Sequence, residues 1–170
     1  MENPSPQHFT ASMDGLVKFL TGFILLFPLG GLIMMIALTP WYPGFILFVI
    51  MLITILGSYA YSVKGYAITS DALIIQRRLA RLNKEIPFTR IYLVRQADKG
   101  ELRWTIRVMG DGGVFGYYGS FVNNKLGYFT MYATHRKNTV IIELLHPNKT
   151  IVLSPDDLGF VEALKGKLHK

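Results

Sequence analysis

The chain has 170 residues, 51% of them hydrophobic and only 17% charged, where an ordinary globular domain is about a quarter charged. Its formal net charge is +7 and it has no cysteine, which excludes a disulfide scaffold and any thiolate metal site. The charge is unevenly spread: no Asp, Glu, Lys or Arg stands between Phe19 and Val63, and the basic excess lies beyond that run.

Residues 1–15 read as a short N-terminal tail. A helix that crosses about 30 Å of hydrocarbon needs about 20 apolar residues. Residues 16–38 and 45–63 both meet that requirement, so residues 16–63 are expected to form a transmembrane helical hairpin. Between them Thr39-Pro40-Trp41-Tyr42-Pro43-Gly44 holds two helix breakers of one kind and one of another, with two rings suited to the headgroup level. The first apolar stretch is too long for a signal-peptide core, and Pro40 and Trp41 do not suit a small-residue cleavage site. Lys18 flanks the first helix and Lys64, Arg77, Arg78 and Arg81 follow the second, whereas the turn has no base. That bias predicts both termini in the cytoplasm. Gly30 and Gly31 would face Ile53 and Thr54 in an antiparallel hairpin, where small residues let backbones approach; glycine is also simply commoner in membrane helices. Neither span holds an ionisable residue, which argues against an ion or proton pathway.

From Gly65 the pattern changes to short runs rich in β-branched and aromatic residues. Residues 66–69 and 72–79 read as a hairpin around Ser70-Asp71, and 84–87 and 90–96 follow. Residues 101–109 alternate, with Leu102, Trp104, Ile106 and Val108 on one face, as a half-buried strand does. Residues 129–134, 139–145 and 150–153 bring the total to about seven strands. Ser154-Pro155-Asp156-Asp157 then reads as a helix start, with Ser154 as N-cap, Pro155 at the first helical position and acids in the first turn. Phe160, Val161, Leu164 and Leu168 recur at helical spacing, which predicts an amphipathic helix over about residues 155–168.

The strands from Gly65 onward, the segment 127–138 with its Tyr132-Ala133-Thr134 strand, and Val152-Leu153-Ser154-Pro155-Asp156-Asp157 before a final helix together resemble the bacterial pleckstrin-homology (PH) domain families. Members of these families often follow one or two transmembrane helices. The resemblance covers roughly residues 64–168. It implies an α+β membrane protein: a two-helix transmembrane hairpin, then over residues 64–170 a PH-like seven-stranded bent sheet or partial barrel capped by a C-terminal helix. It also implies a non-catalytic scaffold in a bacterial cytoplasmic membrane. Eukaryotic PH domains hold phosphoinositides with bases around the first hairpin turn. Here that turn is Thr69-Ser70-Asp71, which has none, so inositol-phosphate recognition by that mode is not expected.

The four histidines, His8, His135, His146 and His169, show no metal-ligand spacing, and neither a metal nor a cofactor is expected. Asp156 and Asp157 are explained as caps rather than as an acid–base pair. The run Gly110-Asp111-Gly112-Gly113-Val114-Phe115-Gly116 lacks the glycine and the lysine that phosphate loops require. Residues 110–128, with Phe115, Tyr117, Tyr118 and Phe121, read as a long loop whose rings touch the membrane interface, bind a partner or pack back on the domain. Arg77, Arg78, Arg81 and Lys84 follow the hairpin closely; they are candidates for anionic lipid contact, or they protect an edge strand by charge. Nucleic acid is not expected as a partner, because no recognition helix or base-stacking module accompanies the charge. The expected function is a membrane-tethered interaction module that binds anionic lipid, a protein partner or a second copy of itself. The alternative is an accessory or assembly subunit acting through its hairpin.

Overall fold

The computed structural model describes residues 6–38, 41–145 and 149–168. A short strand β1 (Gln7–Thr10) precedes two long helices, α1 (Gly15–Leu38) and α2 (Trp41–Tyr61). Asp14 starts α1: its carboxylate accepts from Val17 N at 2.8 Å and its carbonyl from Lys18 N at 3.0 Å. Each helix contains a stretch long and apolar enough to cross a membrane, Gly15–Ile33 and Gly44–Tyr61. Thr39 and Pro40 of the expected turn, and the His146-Pro147-Asn148 turn and His169, lie outside the described residues; α2 itself begins at Trp41, before the expected residue 45.

Nine further strands follow: β2 (Val63–Ile68), β3 (Ala72–Arg77), β4 (Lys84–Pro87), β5 (Ile91–Gln96), β6 (Ile106–Gly112), β7 (Tyr117–Asn123), β8 (Gly127–Ala133), β9 (Val140–Leu144) and β10 (Lys149–Leu153). The chain closes with α3 (Gly159–Leu168). They form two open sheets, β1-β2-β3-β4 and β5-β9-β10-β8-β7-β6. All described pairings are antiparallel except β8 with β10. The expected single bent sheet of seven strands is therefore corrected to two sheets and ten strands among the described residues.

Successive residues of a strand point to opposite faces. In the centre of the six-stranded sheet β9 and β10 are buried on both faces, which explains why they read as continuous apolar runs rather than alternations. Val140, Ile142, Leu144, Ile151 and Leu153 pack with Tyr66, Ile68, Leu73, Ile75 and Ile86 of the four-stranded sheet and with Phe160 and Leu164 of α3. On the other face Tyr117, Phe121, Phe129, Met131, Ile141 and Val152 pack with Val17, so the first turn of α1 belongs to the domain core. The Tyr66 hydroxyl joins the two layers: it donates to the Tyr132 carbonyl at 2.6 Å and accepts from Ser154 N at 2.9 Å.

Three local readings are corrected. Residues 101–104 turn rather than extend, because Arg95 holds the Glu101 carboxylate with two hydrogen bonds, at 2.6 and 2.8 Å, and Asn123 Nδ2 binds the Glu101 carbonyl. The glycine-rich stretch is the β6–β7 hairpin, not a loop: Gly110 lies opposite Gly119, and a Cβ on either would collide with the facing backbone. Ser154 is not a helix cap. It is buried and its Oγ accepts from Thr134 N at 2.8 Å; Asp157 caps α3 instead, accepting from Gly159 N at 2.9 Å. The tail is also structured. Ser12 N and Oγ donate to Asp156, and the His135 Nε2 lies 3.2 Å from the same carboxylate. Burial alone would raise the Asp156 carboxyl, but the hydrogen bonds from Ser12 outweigh it and hold it below the usual carboxylate range.

Candidate functional site: the junction of the helical hairpin and the sheet

The tip of the β6–β7 hairpin sits between the two long helices. A Cβ on Gly113 would stand 2.8 Å from a Leu20 methyl, which would have to move, and its φ of +143° is one that other residues adopt only under strain. Phe115 N donates to Thr21 Oγ1 of α1 at 2.9 Å. The Phe115 ring meets Tyr59 of α2 edge-on, with centroids 5.4 Å apart. On the α2 side Ser58 Oγ donates to Asp111 Oδ2 at 2.6 Å and lies 2.6 Å from Tyr118 Oη, which also reaches the Ser58 carbonyl at 3.0 Å. Asp111 Oδ1 accepts from Val114 N and so fixes the turn. Burial, opposed by the hydrogen bond from Ser58, pushes the Tyr118 phenol up to about 12, so it remains a donor at neutral pH.

Of the three readings of these rings, packing back on the domain is the one their burial supports. Phe115, Tyr117 and Phe121 are buried and Tyr118 is half-buried, because the hairpin needs them against α1, α2 and the sheet. The four candidate lipid-contact bases divide. Arg77 lies over the Tyr61 and Tyr132 rings and donates to the Tyr61 carbonyl at 3.1 Å, and Lys84 donates to Tyr132 Oη at 3.2 Å. Both are half-buried, whereas Arg78, over the Tyr59 ring, and Arg81 are exposed. Two bases that sequence reasoning did not group with them stand at the same junction: exposed Lys18 in the second turn of α1, and Arg136 over the Tyr117 ring at 4.8 Å. Ser58, Thr21 and Asp111 also escaped the sequence reading. A hydroxyl near a helix end and an aspartate among glycines carry no pattern until the fold brings them together.

Within the hairpin, a Cβ on Gly31 would lie 3.8 Å from Met51 Cε, while one on Gly30 would meet nothing within 4 Å. Thr54 is exposed and bonds back to the Ile50 carbonyl at 2.8 Å. The expected Gly30–Thr54 approach is thus replaced by Gly31 against Met51. An open groove of about 480 Å³ crosses the six-stranded sheet, lined by Tyr92, Tyr128, Leu145, Glu143 and Lys149 among others; it offers one carboxylate and one ammonium and no nucleophile paired with a base. Among the described residues no group of three His, Asp or Glu could hold a metal ion.

A sequence model of the family described as bacterial PH domain matches residues 64–168. No curated protein and no solved structure matches the chain.

Proposed function

The chain belongs to the bacterial PH domain family, and on that footing we propose that it is a non-catalytic interaction module held against the cytoplasmic face of a bacterial membrane by its helical hairpin. The observation that carries this reading is the apolar surface of α1 and α2. Almost none of it is covered by protein: of the two candidate spans only Val17 and Thr21 are buried, both at the domain end. A core helix of a soluble protein would be covered, whereas lipid requires the reverse. Both helices meet the sheet at the same end, so the domain stands on one side of the bilayer. The basic residues there supply the orientation toward the cytoplasm.

Lys18, Arg78, Arg81 and Arg136 form the lipid-facing set. They are exposed around the two helix ends, and each base near an anionic leaflet contributes about 1 kcal/mol. Arg77 and Lys84 support this surface from within by holding Tyr61 and Tyr132. The test uses the full chain, because β1 and Val17 belong to the domain. Thermal unfolding is followed in micelles doped with phosphatidylglycerol or phosphatidylcholine, at low and high salt. Anionic lipid is expected to raise the midpoint at low salt, as any ligand of the native state does. The rise should fade with salt and with all four bases changed to alanine. No anionic-lipid effect at low salt would refute the lipid-facing set and leave the anchoring reading to stand on the helices.

A further inference from the structure

Strand β6 ends the six-stranded sheet, and no strand covers its outer edge among the described residues. Edge strands of soluble domains are normally short, charged or covered, because their free N–H and C=O groups recruit other chains. Here the edge and its approach are apolar on both faces: Trp104 is 81% exposed, Ile106 67%, Val108 54% and Met109 75%. This is the reverse of the half-buried strand that alternation predicts. The scaffold behind it is firm. Glu101 is held by Arg95, and Asn123 Nδ2 bonds the Glu101 carbonyl and Thr105 Oγ1, so the exposed side chains stand on a fixed ledge rather than a loose loop.

The charge of the edge is one-sided. Arg103, stacked on Trp104 at 5.4 Å, and Arg107 are both exposed, and neither closes an ion pair among the described residues. The two nearby acids are engaged elsewhere, Glu101 with Arg95 and Asp111 with Ser58. A second copy of the strand would therefore bring arginines toward arginines, which opposes self-pairing. The bilayer is a poor match as well. α1 follows β7 toward the hairpin tip, since Val17 packs with Tyr117 and Thr21 meets Phe115 one helical turn later. Ile106 pairs with Val122, at the opposite end of the β6–β7 ladder from Gly112 and Tyr117, which flank the tip that meets the helices.

From this edge we infer that β6 is a docking strand for an extended, acidic segment of a partner protein, added antiparallel or parallel as a further strand of the sheet. The backbone edge supplies the hydrogen bonds, Trp104, Ile106, Val108 and Met109 supply apolar contact on alternate sides, and Arg103 and Arg107 select carboxylates. This goes beyond the lipid-facing reading and does not depend on it.

The experiment places the full chain in uncharged phosphatidylcholine nanodiscs and titrates a fluorescein-labelled, capped nonapeptide of alternating valine and glutamate, read by anisotropy. The controls are its valine–lysine counterpart and a glutamate peptide N-methylated along its backbone, which cannot pair. Saturable binding of the glutamate peptide alone is expected, and it should weaken with salt. Arg103→Glu with Arg107→Glu should lower its affinity about tenfold or more and admit the lysine peptide. Trp104→Ala with Ile106→Ser, made in the wild-type background, should weaken binding of the glutamate peptide. These positions are exposed, so the variants are expected to fold; thermal unfolding confirms it. Equal binding of both charged peptides, binding of the methylated peptide, or no binding of any peptide to the wild type would overturn the inference. So would a β6-dependent dimer that persists in uncharged detergent.

Discussion

Glu101 is the one acid buried among the described residues, and its partners make its contribution depend on pH. The guanidinium of Arg95 grips both carboxylate oxygens, and Asp98 N adds a third hydrogen bond at 2.9 Å. These contacts, led by the Arg95 hydrogen bonds and opposed by burial, hold the Glu101 carboxyl below its usual range. A carboxyl whose pKa is lower folded than unfolded stabilises the fold fully above its unfolded pKa. That stabilisation is lost as pH falls through the folded value. Glu101→Gln removes the charge but keeps the shape, and is expected to cost about 1–3 kcal/mol at pH 7. The difference between wild type and variant should shrink as pH drops through and below the ordinary glutamate range of about 4. Thermal midpoints of both chains in the same uncharged detergent, measured from pH 7 to pH 3, check this. A gap that stays constant with pH would show that the pair is not what holds the turn.

At the scale of elements, the β6–β7 hairpin depends on glycines that face one another. A Cβ at Gly119 would press into the Met109 carbonyl and stand 2.8 Å from Gly110 Cα, and the residue's φ is +122°. Gly119→Ala is expected to destabilise the domain by about 2 kcal/mol or more. Gly166→Ala, in α3 with nothing within 4 Å, is expected to stabilise it by about 0.5–1 kcal/mol. Denaturant titration of the two variants should move in opposite directions; a small effect at Gly119 would mean the strands do not approach as closely as described. The same hairpin shows where sequence reading reaches its limit. The two long helices, the strands with dense β-branched runs, Asp157 and the amphipathic α3 were legible because local composition decides them. Residues 110–128 were read as a loop because glycine marks turns and close strand contacts alike, and only the partner strand distinguishes the two. β1 was read as a tail because three of its four residues are exposed and give no apolar pattern. The alternation at 101–109 misled for the opposite reason: Trp104, Ile106 and Val108 face solvent, and the side chains that fix the ledge, Arg95 and Asn123, lie outside the segment.

At the scale of the whole molecule, the question is whether the sheet domain and the helical hairpin move as one body. Besides Arg77 on the Tyr61 carbonyl and the Leu79 amide on the Ala60 carbonyl, two side-chain clamps tie the hairpin tip to the helices. Ser58 binds Asp111 and Tyr118, and Thr21 accepts from Phe115 N. A hydroxyl donor in an otherwise apolar helix end costs little when it is satisfied, and the half-buried Tyr118 phenol uses that partner. Ser58→Ala takes the donor away from Asp111 and leaves Tyr118 only the Ser58 backbone carbonyl and a longer, 3.3 Å contact with Asp111. The turn that Asp111 fixes through Val114 N should then loosen. Hydrogen exchange of the full chain in nanodiscs reads this directly. Exchange over residues 112–118 is expected to rise about tenfold, the kinetic equivalent of about 1.4 kcal/mol of lost local stability, while β8, β9 and β10 keep their protection. Thr21→Val should free the Phe115 amide without touching the Asp111 side, and the double variant should exceed either single one because both clamps act on one hairpin tip. Ser120→Ala, exposed on β7, serves as the control. If Ser58→Ala leaves residues 112–118 as protected as in the wild type, the polar contacts are incidental and packing of Tyr59 on Phe115 joins the two parts. If protection falls across the whole sheet, the hairpin is part of the folding unit of the domain, and a domain cut away at residue 64 cannot stand in for the protein.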